Sequence, residues 1–326
     1  MSKRLLGVAK VLISILLAAF LLYLVFKNID WVEFWEKAQT VELAWVYGSV
    51  SISLIAFFAR AYRWNILLKP LGYDLKTGRT TLAVLVGYLA NLAIPRLGEI
   101  TRCGVLNRND KVSIAHGFGS VVAERIVDLL TLFILIFISL IVEYDRITSF
   151  LADAYAGLNL PGYVIYIFIA FALGGIGFLV YVVKKRNTMK GKFAELVKSF
   201  VDGLLSLARI QNVTGFIVST LLIWLSYYFM SYIIVFALPE TSMLDFGAGF
   251  LLLVTGGIAL SIPVQSGFGT YHGMVAGMLL LYSIDKTTGL FFATLMHTSQ
   301  IVSIAIFGTI ALIISGILRK KEAETA

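Results

Sequence analysis

Apolar residues recur along the chain in blocks close to membrane-spanning length. They fall near 5–26, 43–68, 80–95, 113–142, 163–183, 213–238, 246–262, 265–284 and 288–317. A helix needs about 20 such residues to cross the hydrocarbon core of a bilayer. Several blocks are too short, or too interrupted by glycine and proline, to cross alone. The first block follows Met1-Ser2-Lys3-Arg4 and looks at first like a signal peptide. It lacks a small-residue cleavage site, and Lys27-Asn28-Ile29-Asp30 follows at once, so it reads as an uncleaved first span.

Composition sharpens this picture. Of 326 residues, 59% are hydrophobic and 14% charged, with a mean hydropathy of +0.89. Soluble domains average about 45–50% and about 25%, so too little polar surface is left to cover soluble domains. A soluble enzyme, a disordered chain and a secreted disulfide scaffold are excluded. The chain reads as an all-α polytopic integral membrane protein of the cell (plasma) membrane. Cys103 has no partner for an internal disulfide and no metal-ligand spacing around it. His116, His272 and His297 lie far apart, and no cofactor is expected.

The net charge of +8 raises the question of nucleic acid, but topology explains it better. Lys3, Arg4 and Lys10, together with 60–79, 96–111, 184–209 and 319–321, hold 22 of the 27 basic residues. The loops 27–42, 143–162, 239–245 and 285–286 hold four basic residues and ten acids. The positive-inside rule then puts both termini in the cytoplasm. No nucleic-acid partner is expected.

This orientation makes 80–112 enter and leave from the cytoplasmic side, as a re-entrant hairpin broken at Pro95. It makes 246–284 a hairpin, or a pair of spans, entered from outside and broken at Pro263. The halves 5–142 and 163–318 then repeat one order upside down within a single transmembrane domain. The breaks also look alike: Leu89-Ala90-Asn91-Leu92-Ala93-Ile94-Pro95 against Gly257-Ile258-Ala259-Leu260-Ser261-Ile262-Pro263. Paired interrupted segments of this kind are the sequence signature of inverted-repeat transporters. Broken helices expose backbone polar groups, which are tolerated at membrane depth only beside a cavity or inside protein.

Polar residues cluster near the first break. Arg96, Gly98, Glu99 and Arg102 follow Pro95, and Glu99 and Arg102 sit one helical turn apart, within pairing reach. The next apolar block carries Ser120, Glu124, Asp128 and Thr131 on one stripe, with Arg125 beside it. Each ionised group at the centre of a membrane helix costs at least about 2.5–3.5 kcal/mol. Three readings fit: a structural ion-pair cluster between Arg125 and Asp128, a segment whose start lies in the cytoplasm, or a hydrated cavity that holds a charged headgroup.

Three stretches resemble elements of a known family. Pro95-Arg96-Leu97-Gly98-Glu99-Ile100-Thr101-Arg102 is similar to its P-x-x-x-G-E-x-x-R element, and Glu124-Arg125-Ile126-Val127-Asp128 to its E-R-x-x-D element. Pro263-Val264-Gln265-Ser266-Gly267-Phe268-Gly269 resembles the glycine motif of its second half. The family is the lysylphosphatidylglycerol synthase transmembrane region, also described as flippase-like. The resemblance covers nearly the whole chain. It implies a domain that binds or moves a lipid with an anionic or aminoacylated headgroup, or a polyprenyl-phosphate-linked one. The synthase members carry a soluble aminoacyltransferase domain after the membrane region, and the nine residues after the last span here do not supply one.

The implied substrate-binding residues are Pro95, Arg96, Gly98, Glu99, Arg102, Glu124, Arg125, Asp128, Pro263, Gly267, Gly269 and His272. Arg96, Arg102 and Arg125 suit phosphate, because a guanidinium matches its oxygens bidentately. Glu99, Glu124 and Asp128 orient them or meet a cation. Many family members have an acid three residues after the second glycine motif, where this chain has Tyr271-His272, leaving His272 as a substitute or a silent replacement. No Walker-type sequence is present, so transport implies passive exchange or an ion gradient. A membrane enzyme using Glu124 and Asp128, and an accessory subunit of a separately encoded synthase or transferase, are the alternatives.

Three smaller features complete the reading. Residues 190–210 form an amphipathic pattern suited to an anionic lipid surface. Trp31, Trp35, Trp45 and Tyr47 suit an aromatic belt at the outer interface. His297, with Thr294, Thr298 and Gln300, fits a hydrogen-bonding cluster between helices better than a cavity wall.

Overall fold

The computed structural model describes residues 16–149, 210–262 and 264–325, with side chains as far as Leu318 in the last helix. The block near 163–183, nearly all of the amphipathic pattern 190–210, and Pro263 lie outside the described residues. Among the described residues, ten helices of at least ten residues follow in order: α1 (Leu16–Phe26), α2 (Trp31–Thr40), α3 (Leu43–Leu68), α4 (Thr77–Ala93), α5 (Leu97–Asp110), α6 (Ile114–Val142), α7 (Val213–Tyr232), α8 (Phe246–Ser261), α9 (Thr270–Leu279) and α10 (Lys286–Thr325). No strand occurs among the described residues. Leu43–Leu71, Ile114–Val142, Val213–Ala237 and Lys286–Leu318 are each long and apolar enough to cross a membrane. The protein is an all-α integral membrane protein.

The interrupted segments are helix pairs. α4 and α5 have 17 and 14 residues, and α8 and α9 have 16 and 10. At about 1.5 Å per residue, each is shorter than the ~30 Å hydrocarbon core. Proline disfavours helical backbone in the residue before it. Accordingly Ile94 is extended (φ −141°, ψ 124°) and ends α4, and Arg96 turns left-handed (φ 62°) to start α5. The new helix folds back along the old one. Gly98 makes this approach possible: a Cβ there would overlap the Gly87 carbonyl and lie 2.6 Å from the Asn91 side chain. Asn91 then caps α5, its Oδ1 accepting the Gly98 N–H at 2.6 Å.

The second break lies against the first. A short turn at Gln265–Gly267 links α8 to α9, with Ser266, Gly267 and Gly269 at positive φ. Gln265 Nε2 donates to the carbonyls of Leu92 (2.7 Å) and Ala93 (3.0 Å). These carbonyls end α4 and have no partner within their own helix. The similar sequence signals of the two breaks therefore mark segments that meet. On its other side the turn supports α1, since a Cβ at Gly269 would lie 2.8 Å from Leu21 C and 2.9 Å from Leu22 N.

Two apolar cores hold the helices. One joins α3 to α6 through Trp64, Leu68, Val84, Leu106 and Val121. The other joins the end of α7 to α10 through Ile234, Leu252, Tyr271, Leu279 and Phe292. Phe57, Leu85, Val86 and Ala311 form a smaller cluster that packs α10 against α3 and α4.

At the acidic end of the bundle, α2 is held by Lys37, which lies 2.7 Å from Glu240 and 3.2 Å from Glu33. Burial pushes the Lys37 ammonium pKa down, but the bonds to Glu240 and Glu33 outweigh it and hold it above its ordinary value. The Lys37 bond holds the Glu240 carboxyl below its own. The Glu240 contribution is therefore full above the unfolded carboxyl pKa and disappears as pH falls through the lower folded value. That of Lys37 is full below the unfolded ammonium pKa and disappears as pH rises through the higher folded value. At neutral pH both are present. A tie of this kind contributes about 0.2–1 kcal/mol. Lower protection of the α2 amides as pH falls, after correction for the intrinsic exchange rate, is the expected result, with Glu240→Gln already less protected at neutral pH and losing little more in acid.

Candidate functional site

The site is built where α3 and α6 face each other. Arg60, Arg63 and Trp64 lie on one face of α3, and Ser120, Glu124 and Asp128 on one face of α6, by the three-and-four spacing of a helix. Arg60 Nη1 donates to Glu124 Oε1 and, at 2.9 Å, to Asp128 Oδ2. Arg63 Nη2 donates to Asp128 Oδ1 at 2.5 Å. Arg102 reaches in from α5 to Glu124 Oε2 at 3.1 Å and lies 4.5 Å over the Trp64 ring. Trp64 Nε1 donates to Ser120 Oγ at 2.8 Å. Arg60, Arg63, Arg102 and Glu124 are all buried. Buried charges are tolerable only when they are paired and hydrogen-bonded in this way.

Arg125 occupies a different position. Its side chain is 43% exposed and lies 3.6 Å from Glu99 and 3.7 Å from Asp128. These are ion-pair distances, longer than the 2.7–3.2 Å typical of an N–H···O bond. Arg125 borders a cavity of about 530 Å³, with Arg60 and Asp128 at the same polar end. Tyr227 continues that end, its hydroxyl accepting from Arg60 Nε at 3.2 Å and Nη2 at 3.0 Å. Across the cavity, Gln300 donates to the Tyr271 hydroxyl at 3.2 Å. Much of the remaining wall is apolar. Leu129 on α6 and Leu260 on α8 both border the cavity and are 53% and 48% exposed, so it opens between these helices onto an apolar surface.

Several sequence expectations are corrected here. Glu99 pairs with Arg125 and Arg102 with Glu124, where helical spacing suggested Glu99 with Arg102. Arg60 and Arg63 were counted with the loop 60–79, yet they are buried in α3 and supply most of the ion pairs on α6. The α6 stripe forms a buried ion-pair cluster and borders a cavity at once. Thr131, the last residue of that stripe, bonds only its own helix, at Val127 O.

The other expected site residues divide. Pro95 and Gly98 shape the first break, and Glu99 and Arg102 border a second space of about 10 Å³ beside Arg125. That volume is about the minimum one water needs, and buried Glu99 Oε2, Arg102 Nε and Arg102 Nη2 have no hydrogen-bond partner there. Arg96 is exposed at the break and borders neither space. Gly267 and Gly269 shape the second break. His272 is buried, stacked on Phe268 and against Phe26 and His297, and does not line the cavity. His297 Nε2 donates to Ser266 O at 2.9 Å in the turn between α8 and α9, whereas Gln300, grouped with it in the sequence reading, borders the cavity. Among the described residues no group of three or more His, Cys, Asp or Glu could hold a metal ion.

The sequence profile of the lysylphosphatidylglycerol synthase TM region matches residues 11–308, which takes in both breaks and the whole cluster. The chain belongs to this family. Among curated relatives it is similar to glycosyltransferase AglD of Haloferax volcanii, with 24% identity over 287 residues, covering 78% of this chain and 46% of that protein. The chain thus spans about half the length of AglD. It is also similar to UPF0104 membrane protein MJ1595 of Methanocaldococcus jannaschii, with 23% identity over 281 residues, covering 77% of this chain and 79% of that protein. No solved structure matches.

Proposed function

We propose that this family member binds a lipid or polyprenyl-linked substrate by its charged headgroup and carries it across the plasma membrane. The observation that supports this best is the cavity, which joins an arginine-bearing polar end to a mouth rimmed by Leu129 and Leu260. An amphipathic molecule fits such a path with its headgroup inside and its chains in the bilayer. In this reading Arg125 takes the phosphate. Glu99 and Asp128 hold Arg125 between them while the cavity is empty. Arg63, Arg102 and Glu124 keep that arrangement rigid from outside the cavity, and Arg60, which borders it, is fixed by Glu124, Asp128 and Tyr227. Both termini are cytoplasmic, and the α4–α5 and α8–α9 pairs are the re-entrant hairpins of one inverted-repeat domain. The Gln265 bonds to α4 couple the two hairpins.

Mass spectrometry of lipids that co-purify with the protein tests the reading. The expected result is one headgroup class strongly enriched over the host membrane and lost in Arg125→Ala. Bulk lipid alone in both samples would count against it. Ser261, exposed at the mouth and bonded only to Gly257 of its own helix, gives a blocking variant. Ser261→Trp should abolish lipid translocation in liposomes while the melting temperature holds.

Similarity to a protein named as a glycosyltransferase favours a second reading, in which the cavity serves headgroup transfer on a lipid-linked sugar. Turnover of such a lipid by the purified protein would establish it.

A further inference from the structure

The charge balance of the cluster narrows the headgroup class. Arg60, Arg63, Arg102 and Arg125 bring four positive charges, and Glu99, Glu124 and Asp128 bring three negative ones. Among the described residues one positive charge is left over. Arg60, Arg63 and Arg102 share two carboxylates, Glu124 and Asp128, and Arg125 lies against Glu99 and Asp128, so the excess belongs to the cluster as a whole, which meets the cavity at Arg60 and at the loosely held Arg125. The rest of the polar lining is neutral: Tyr88, Tyr227, Ser231, Ser261, Gln300 and Ser303. An uncompensated charge at membrane depth is costly, and a bound group that cancels it is favoured over one that adds to it or overshoots. A second feature calls for an oxygen acceptor. Trp224 borders the cavity, and its buried indole N–H has no protein partner.

We infer that the cavity selects a lipid whose headgroup is a phosphodiester of net charge −1, bound at Arg125, over headgroups that are net cationic or carry a diphosphate. A phosphodiester brings one negative charge, which makes the cluster of four arginines and three carboxylates neutral. An aminoacylated headgroup of net charge +1 doubles the excess. A diphosphate over-neutralises it beside Glu99 and Asp128. The oxygens of the phosphodiester, or a hydroxyl next to it, accept from Trp224 Nε1. The inference rests on the lipid-binding reading above and adds the sign and size of the headgroup charge.

The test uses the full chain in phosphatidylcholine nanodiscs, with competition measured by native mass spectrometry. The competing lipids are phosphatidylglycerol, phosphatidylethanolamine, lysylphosphatidylglycerol and a polyprenyl diphosphate. Phosphatidylglycerol is expected to bind at least about tenfold more tightly than the others, a difference of about 1.4 kcal/mol, and Arg125→Ala should remove the preference. Glu99→Gln supplies the control that a merely structural role would not reproduce. It raises the excess to two positive charges and should shift the preference toward the diphosphate. Arg125-dependent binding that favours lysylphosphatidylglycerol or the diphosphate in the native protein would overturn the charge rule and leave the lipid-binding reading standing. Binding indifferent to Arg125 for every lipid would overturn both.

Discussion

Glu124→Gln is expected to destabilise the protein by about 3–5 kcal/mol, the usual cost of removing one partner from a buried ion pair. Glu124 is fully buried and accepts from Arg60 and Arg102, with Arg63 Nη2 3.5 Å from Oε1. The neutral amide keeps the shape but leaves Arg60 and Arg63 with Asp128 alone and takes away the carboxylate that Arg102 bonds. In detergent, the variant should melt well below the native protein or fail to elute as a single species. A melting temperature like that of the native protein would show that the three arginines do not depend on Glu124.

Arg125→Ala should do the reverse, weakening lipid binding by about 10–100-fold with little change in melting temperature. Charge-assisted hydrogen bonds contribute about 1.5–3 kcal/mol, equivalent to about that range in affinity. Arg125 is half-exposed and makes only long ion-pair contacts, so its removal leaves the packed cluster intact. Lipid titration into nanodiscs and a melting curve on the same samples separate the two effects. Loss of both binding and fold would put Arg125 in the scaffold.

The segmentation into helices was legible because lipid enforces long apolar runs, and the break at Pro95 because proline constrains the residue before it. The charged stripe on α6 was legible for the same reason: ionisable groups stand out in an apolar block. What covers that stripe was not. Arg60 and Arg63 lie near the C-terminal end of an apolar run, where a rule based on loop charge counts them as topology signals. Only the packing of α3 on α6 turns them into ion-pair partners. Glu99 and Arg102 have the spacing to pair with each other, but the buried Glu124 takes Arg102 and leaves Glu99 to Arg125. The caps supplied by Asn91 and Gln265 reach from one helix to another and leave no periodic signal. His272 stood out as a polar residue just after the second glycine motif, yet it is packed among aromatic rings away from the cavity.

Covalent capture of the lipid in place tests the central claim most directly. A lipid with a photoreactive group on its headgroup would be incorporated into liposomes with the protein, irradiated, and the adducts mapped by peptide mass spectrometry. The account predicts adducts on the cavity-facing residues of α6 and α8, around Arg125, Leu129, Leu260 and Ser261, reduced in Arg125→Ala. Adducts confined to outward residues such as Phe133, Phe137 and Ile141, and unchanged in that variant, would contradict it.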